Sequence, residues 1–306
     1  MTESALIPSA CAPEGLVLLR AAGEDAEKFL HGQFTNRVEG IGGAVRLAGW
    51  CDGRGRLHAV LRVWAEADGL RLLLPAEIAD RFLKRIRMYV LRARVTLEAL
   101  PAAFELYLGR EGEARLLEAG LSAPAPGERL TGAFGTLLGL EPTAAAPGLP
   151  EGGERILRIL PEAASSALPA SSEAWLAGEA AAGVPVVLAP TIGAFVPQHV
   201  NLDLAGGVVF NKGCYPGQEV VSRMHHLGET PRRGLILASE ETLRLEPGAP
   251  IFSGEEEAGA ALALARTGRG TLLFASVKRS LAAGTLRAGS PKGAELSAVK
   301  PPYGGI

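Results

Sequence analysis

The sequence predicts an α+β fold, with antiparallel sheets covered by helices and a small all-β unit at the C-terminus. Three observations carry that prediction. Residues 44–100 read in the order strand, strand, strand, helix, strand, which builds an antiparallel sheet with one helix across a face. Within that helix Ile78, Phe82, Ile86 and Val90 recur every fourth residue and form a buried seam. From 235 to 300, short β-rich runs (235–238, 260–265, 271–277, 294–299) alternate with Pro247-Gly248, Ser253-Gly254 and Gly268-Arg269-Gly270. Such punctuation marks a small barrel or sandwich.

In chain order, residues 1–13 lack both a basic n-region and an apolar h-region, so they read as a disordered leader and not as a signal peptide. A strand over 15–20 ends at Gly23. Glu24 and Asp25 open a helix whose apolar stripe is Ala26, Phe29 and Leu30, with Gly32 ending it. Gln33-Phe34-Thr35-Asn36 forms a polar exit turn, with Thr35 and Asn36 suited to bonding nearby backbone. Strands 44–51 and 56–64 flank the turn Asp52-Gly53-Arg54-Gly55, a strong hairpin signal. A strand over 70–74, a helix over 76–91 and a strand over 92–100 complete the unit.

Residues 122–150 read as short structure and loops, with one amphipathic turn near 137–140. A strand over 155–160 follows, then a small-residue linker. Ser172 serves as N-cap for a helix reaching Gly183, and 184–188 is a β-rich run. Thr230 to Gly234 is the hinge into the last unit. The expected organisation is thus a leader (1–13), a main region (14–234) of two α+β subdomains, of which 44–100 forms one, and a barrel (235–306).

Composition is that of an ordinary globular protein: 47% hydrophobic and 21% charged over 306 residues, with a net charge of −2. No global charge bias favours nucleic acid, and no apolar run approaches the roughly 18–20 residues of a membrane span. Three widely spaced cysteines (Cys11, Cys51, Cys214) suit a reducing cytoplasm. Without a Cys-x-x-Cys pair or suitably spaced histidines, no resident metal site is expected. One local exception to neutrality exists. Arg81, Lys84, Arg85 and Arg87, with Arg92 and Arg94 beyond, form a basic face that is either solvated or a site for tRNA phosphate or another anion.

The densest chemistry lies in Asn211-Lys212-Gly213-Cys214-Tyr215-Pro216-Gly217-Gln218-Glu219, continuing to Arg223. A strand ending near Phe210, a tight turn and a helix from Pro216 to His226, closed by Gly228, place Cys214 at a helix mouth. The helix N-terminus and Lys212 would both favour a thiolate there. The alternative is a buried thiol acting as a small hydrophobe. Glu219 suits either the helix dipole or a ligand. His225 and His226 lie too far along the helix to serve Cys214 as a base, which excludes a papain-type dyad.

Lys212-Gly213-Cys214-Tyr215-x-Gly217-Gln218-Glu219 resembles the signature of the YgfZ family, folate-binding proteins of iron–sulfur cluster assembly and tRNA modification. These are relatives of the glycine cleavage T-protein, an aminomethyltransferase. Phe195-Val196-Pro197-Gln198 with Asn201-Leu202-Asp203 and Gly206-Gly207 resembles the lead-in to that signature. Phe29-Leu30-x-Gly32-Gln33-x-Thr35-Asn36, with Cys51-Asp52 and Gly55-Arg56, resembles its early motif.

The resemblance implies a T-protein-like (GcvT-like) fold with tetrahydrofolate in a cavity at the centre of the units. It implies Cys214 and Lys212 as the chemically active pair, with Asn36, Asn201, Tyr215, Gln218, Glu219 and Arg223 around the folate. Iron–sulfur client enzymes, including radical enzymes that modify tRNA, are the implied partners. Two departures stand out. T-protein relatives carry an aspartate on the second hairpin strand, whereas 56–61 holds no carboxylate, which argues against aminomethyl transfer. Relatives also show Arg-x-Glu-Ala-Gly before the signature, with the glutamate on the pterin; here the segment is Glu179-Ala180-Ala181-Ala182-Gly183. Two alternatives stay open: a one-carbon transferase using Asp52 or Glu219, and a non-catalytic RNA- or protein-binding module.

Overall fold

The computed structural model describes residues 6–228 and 230–304. Strands β1 (Ala10–Pro13) and β2 (Leu16–Ala22) lead to helix α1 (Ala26–His31), then β3 (Arg46–Cys51), β4 (Leu57–Glu66), β5 (Gly69–Pro75), α2 (Ala76–Arg87) and β6 (Thr96–Leu100). Strand β7 (Phe104–Leu108), α3 (Gly109–Glu118), β8 (Arg129–Gly132), β9 (Gly135–Gly139), β10 (Arg155–Ile159), β11 (Ala170–Ser171) and α4 (Ala174–Ala182) follow. After α5 (Gln218–His226), strands β12 (Arg232–Ser239), β13 (Pro250–Ser253), β14 (Glu256–Thr267), β15 (Gly270–Lys278), β16 (Leu286–Ala288) and β17 (Glu295–Val299) finish the chain.

The strands form three sheets. One is five-stranded and antiparallel, in the order β3-β4-β5-β2-β6; a second is six-stranded, β11-β1-β7-β10-β9-β8; the last is a closed barrel, β12-β15-β14-β13-β16-β17. The α+β reading with a C-terminal barrel therefore describes the molecule. Helix α2 lies on the first sheet through the expected seam: Ile78, Phe82 and Ile86 are buried against Trp50, Leu61 and Leu72. Closure of the barrel removes its sheet edges, and this lets short strands rich in Ala and Gly persist.

The units meet through an apolar core. Leu47, Val60, Ala181, Val187, Leu202, Val221, Ile236 and Phe274 belong to one buried cluster that joins the first sheet, α4, α5 and the barrel. Polar ties frame it. Asn201, in a left-handed conformation (φ 55°), donates to Gly234 O at 2.8 Å and accepts from Gly234 N at 3.0 Å. Arg233 grips Asp203 with oxygens at 2.8 and 3.0 Å.

Several expectations need correction. The supposed leader contains β1, which pairs with β7 and β11, and Ile7 and Cys11 are buried; residues 1–5 lie outside the described residues. Helix α2 stops at Arg87, and Met88 to Leu91 turn back through bonds such as Tyr89 N to Ile86 O at 3.0 Å, delaying β6 to Thr96. In 122–150, the short structure expected among loops is a hairpin of β8 and β9. Ser171 Oγ, not Ser172, accepts from Ala174 N at 3.2 Å at the start of α4. Residues 184–188 and 208–210 are irregular although the first run is wholly buried, because β-branched residues mark burial as readily as pairing. Strand β12 begins at Arg232, inside the expected hinge.

Candidate functional site

The site is built on the β3–β4 turn. Asp52 Oδ1 accepts from Arg54 N at 2.9 Å and Arg56 N at 3.0 Å, and its Oδ2 meets His58 Nε2 at 3.3 Å. Burial favours the neutral imidazole at His58, and the nearby Arg85 and Arg81 work in the same direction against the attraction of Asp52. The signature loop lies flush on this turn. Gly217 has φ 78°, and a Cβ there would run into the Gly55 backbone and fall 2.5 Å from Asp52 O. Only glycine satisfies both demands. Tyr215 is buried beside Cys51, and burial raises the pKa of its hydroxyl.

Lys212 does not reach out to solvent. Its Nζ donates to His31 O at 2.5 Å and Phe34 O at 2.6 Å, the free carbonyls at the end of α1. It also stands 5.1 Å over the Tyr215 ring. Burial lowers its pKa to about 8, opposed by the charges of Glu39 and Cys214. Between these two anchored residues Cys214 is exposed. Its position differs from the expected one, because α5 begins at Gln218 and Gly217 holds the N-cap. The helix dipole, which fades within a turn, therefore acts on the loop backbone more than on the sulfur, and Lys212 is the electropositive neighbour that remains.

His31, which sequence reasoning missed, stands over the same loop. Its Nδ1 accepts from Glu39 N at 3.2 Å and Val38 N at 3.4 Å, leaving Nε2 as the protonated nitrogen facing Gly213. Burial is the first cause of its lowered pKa, and Lys212 adds to it. Nothing in the sequence pairs positions 31 and 213, which only the fold brings together.

The remaining sequence-derived candidates fall into two groups. Gln218 is half-buried at the start of α5, and Glu219 and Arg223 face solvent on it. Asn36 and Asn201 are interior ties: Asn36 Nδ2 donates to Leu47 O at 2.7 Å and Gly206 O at 2.8 Å, while Asn201 holds Gly234. Both amides donate to distant backbone and not to the local turn expected for Thr35 and Asn36, since Asn36 reaches Gly206 and Thr35 Oγ1 donates to Gly207 O at 2.6 Å.

The structure carries neither of the two carboxylates that the resemblance assigns to the pterin. The expected aspartate belongs on β4 and the expected glutamate at Ala181, and there β4 and α4 are packed together. Ala181 is fully buried, and the gap lined by Val60, Arg62, Trp175 and Glu179 encloses about 10 Å³, against the hundreds of Å³ of a ligand pocket. Glu179 accepts from Arg62 at 2.9 and 3.0 Å and from Arg155. Arg62 also binds Glu141, and both guanidiniums lie over Trp175, at 5.2 and 5.8 Å. Two larger surface crevices, of about 640 and 660 Å³, are lined by neither Cys214 nor its signature neighbours.

On α2, Arg81, Lys84 and Arg87 are exposed and Arg85 is half-buried. Arg87 donates to Leu97 O, whereas Arg81, Lys84 and Arg85 have no carboxylate within ion-pair distance among the described residues. Tyr89, 42% exposed, stands edge-on to Trp50 at 6.4 Å. The described residues hold no cluster of metal-ligating side chains, and no described helix is long and apolar enough to cross a membrane.

Comparison with known proteins places this geometry. No family model matches the chain. It is 32% identical to the tRNA-modifying protein YgfZ of Cronobacter sakazakii, across 95% of this chain and 91% of that protein. Identity to the YgfZ of Edwardsiella ictaluri is 29%, across 70% and 66% respectively. The glycine cleavage aminomethyltransferase T of Bartonella henselae superposes with a TM-score of 0.72 over 97% of this chain and 86% of that one, at 14% identity, a likeness of fold. With about a third of residues shared over nearly its full length, the chain belongs to the YgfZ family.

Proposed function

We propose that the protein is an accessory factor of the cytoplasm that supports the assembly or repair of iron–sulfur enzymes, those that modify tRNA among them, with Cys214 as its working thiol. One observation carries this reading: Cys214 is exposed while its signature neighbours hold the loop in place. Tyr215 is buried, Gly217 is fitted to Gly55, and Lys212 is tied to α1. A thiol so presented suits transient ligation of iron or transfer through thiol exchange, both of which proceed through the thiolate. Lys212 is the cation nearest to that thiol in the chain.

Aminomethyl or other one-carbon transfer receives no such support. Asp52 is held by two backbone N–H groups and His58, and Glu219 faces solvent. To test the proposal, cells lacking the protein are supplied with Cys214→Ala and iron–sulfur enzyme activity is assayed. The variant accumulates to normal levels and fails to restore activity; full restoration would remove the thiol from the mechanism.

A second surface suits the tRNA side of the reading. Arg81, Lys84 and Arg85 pair with no carboxylate among the described residues, and Arg81 and Arg85 lie near enough to His58 of the β3–β4 turn to act on its charge, which suits an RNA backbone on α2. Gel-shift measurements across a salt series decide this point.

A further inference from the structure

We infer that the turn closing α2 takes an unstacked nucleobase, with Tyr89 as its stacking surface beside Met88 and Leu91, so that this face selects single-stranded over duplex RNA. The inference rests on the proposal that the α2 cations hold an RNA backbone, and it names the kind of RNA they hold.

Met88, Tyr89 and Leu91 are exposed by 72%, 42% and 86%. The other large apolar side chains that face solvent among the described residues, Leu6, Leu117, Leu130 and Leu227, stand one to a segment. An apolar group this concentrated marks a contact surface. The turn is not a frayed helix end. Met88 N donates to Arg85 O at 3.1 Å, Tyr89 N to Ile86 O at 3.0 Å and Val90 N to Arg87 O at 3.1 Å, and Val90 packs back on the core of the first sheet. The Tyr89 ring stands perpendicular to buried Trp50, with 6.4 Å between centroids, so the core sets its plane.

The charge beside the turn says what covers it. Arg81, Lys84, Arg85 and Met88 follow one another at helical spacing and share one side of α2. Arg81, Lys84, Arg85 and Arg92 pair with no carboxylate among the described residues. The fitting partner is therefore anionic and also carries apolar surface. Phosphates satisfy the cations but offer nothing to Met88, Tyr89 or Leu91. Duplex RNA adds little, because its base faces are stacked inside and its wide groove shows hydroxyls and base edges. Loops, bulges and ends expose whole base faces, which stack on aromatic side chains whatever their sequence. An anionic lipid surface shares the charge, but it needs no ring held in a fixed plane.

The full-length protein is tested by fluorescence anisotropy with a labelled single-stranded RNA of about twelve nucleotides, the same strand annealed to its complement, and a tRNA. The single strand binds more tightly than the duplex. Tyr89→Ala weakens the single strand by about 5- to 100-fold, the weight of one base on an aromatic ring, and leaves the slope of log affinity against log salt unchanged. Tyr89→Phe keeps wild-type affinity, which separates stacking from a loss of fold. Equal affinity for duplex and single strand, or wild-type binding by Tyr89→Ala, overturns the inference. If that happens while Arg81→Ala with Lys84→Ala still lowers the salt slope, the cations hold RNA without a stacked base; absence of any RNA binding removes both readings. Retention on phosphatidylserine vesicles that Leu91→Ser abolishes, with no difference between the RNA strands, assigns the turn to a lipid surface and also overturns the inference.

Discussion

Gly217 shows how the signature turns residue chemistry into a presented thiol. With φ 78° and the Gly55 backbone against its missing Cβ, any side chain there must either strain the turn or push the loop off β3–β4. Gly217→Ala therefore destabilises by roughly 1–3 kcal/mol, read as a fall in the midpoint of denaturant unfolding; an unchanged midpoint would mean that the loop is not fastened at this point. The importance of Cys214, Lys212, Tyr215 and Gly217 was legible in the sequence because four unusual residues stand within six positions. Their division of labour was not. Lys212 reads as a partner of Cys214 by proximity, yet its bonds go to His31 and Phe34, some 180 positions earlier. The amide of Asn201 meets Gly234, and His31 meets Gly213, for the same reason: local pattern carries no information about distant backbone.

Among the elements, those with a clean period were readable. The seam of α2 and the β3–β4 hairpin follow directly from spacing and turn chemistry. Helix α3, which opens on Gly109, and the hairpin of β8 and β9, built around Gly132 and Gly135, lack such a period and escaped. The buried run 184–188 misled in the other direction, since Val184 and Val187 serve the junction core and not a sheet. On α2 the polar side carries the RNA reading. Replacing Arg81 and Lys84 by Ala weakens tRNA binding uniformly across sequences and reduces the slope of log affinity against log salt by about 2, roughly one unit for each phosphate no longer neutralised. A slope that stays the same would show these cations to be solvated bystanders, and affinity that does not fall with salt would exclude phosphate-driven binding altogether.

Across the whole molecule, the first sheet, α4, α5 and the barrel close on one another over one apolar cluster, in a fold shared with an aminomethyltransferase. Cys214 lies on the surface, at the loop that the first sheet and α5 hold between them. The three cysteines make this testable in one measurement. Cys11 and Cys51 are buried at 0% and 1% exposure, and burial raises both thiols, that of Cys11 to about 11, while Cys214 lies open. Brief treatment of the native protein with iodoacetamide, read by peptide mass spectrometry, is predicted to label Cys214 alone, with Cys11 and Cys51 reacting only after denaturation. Labelling that spares Cys214 until the protein unfolds would contradict the account at its centre.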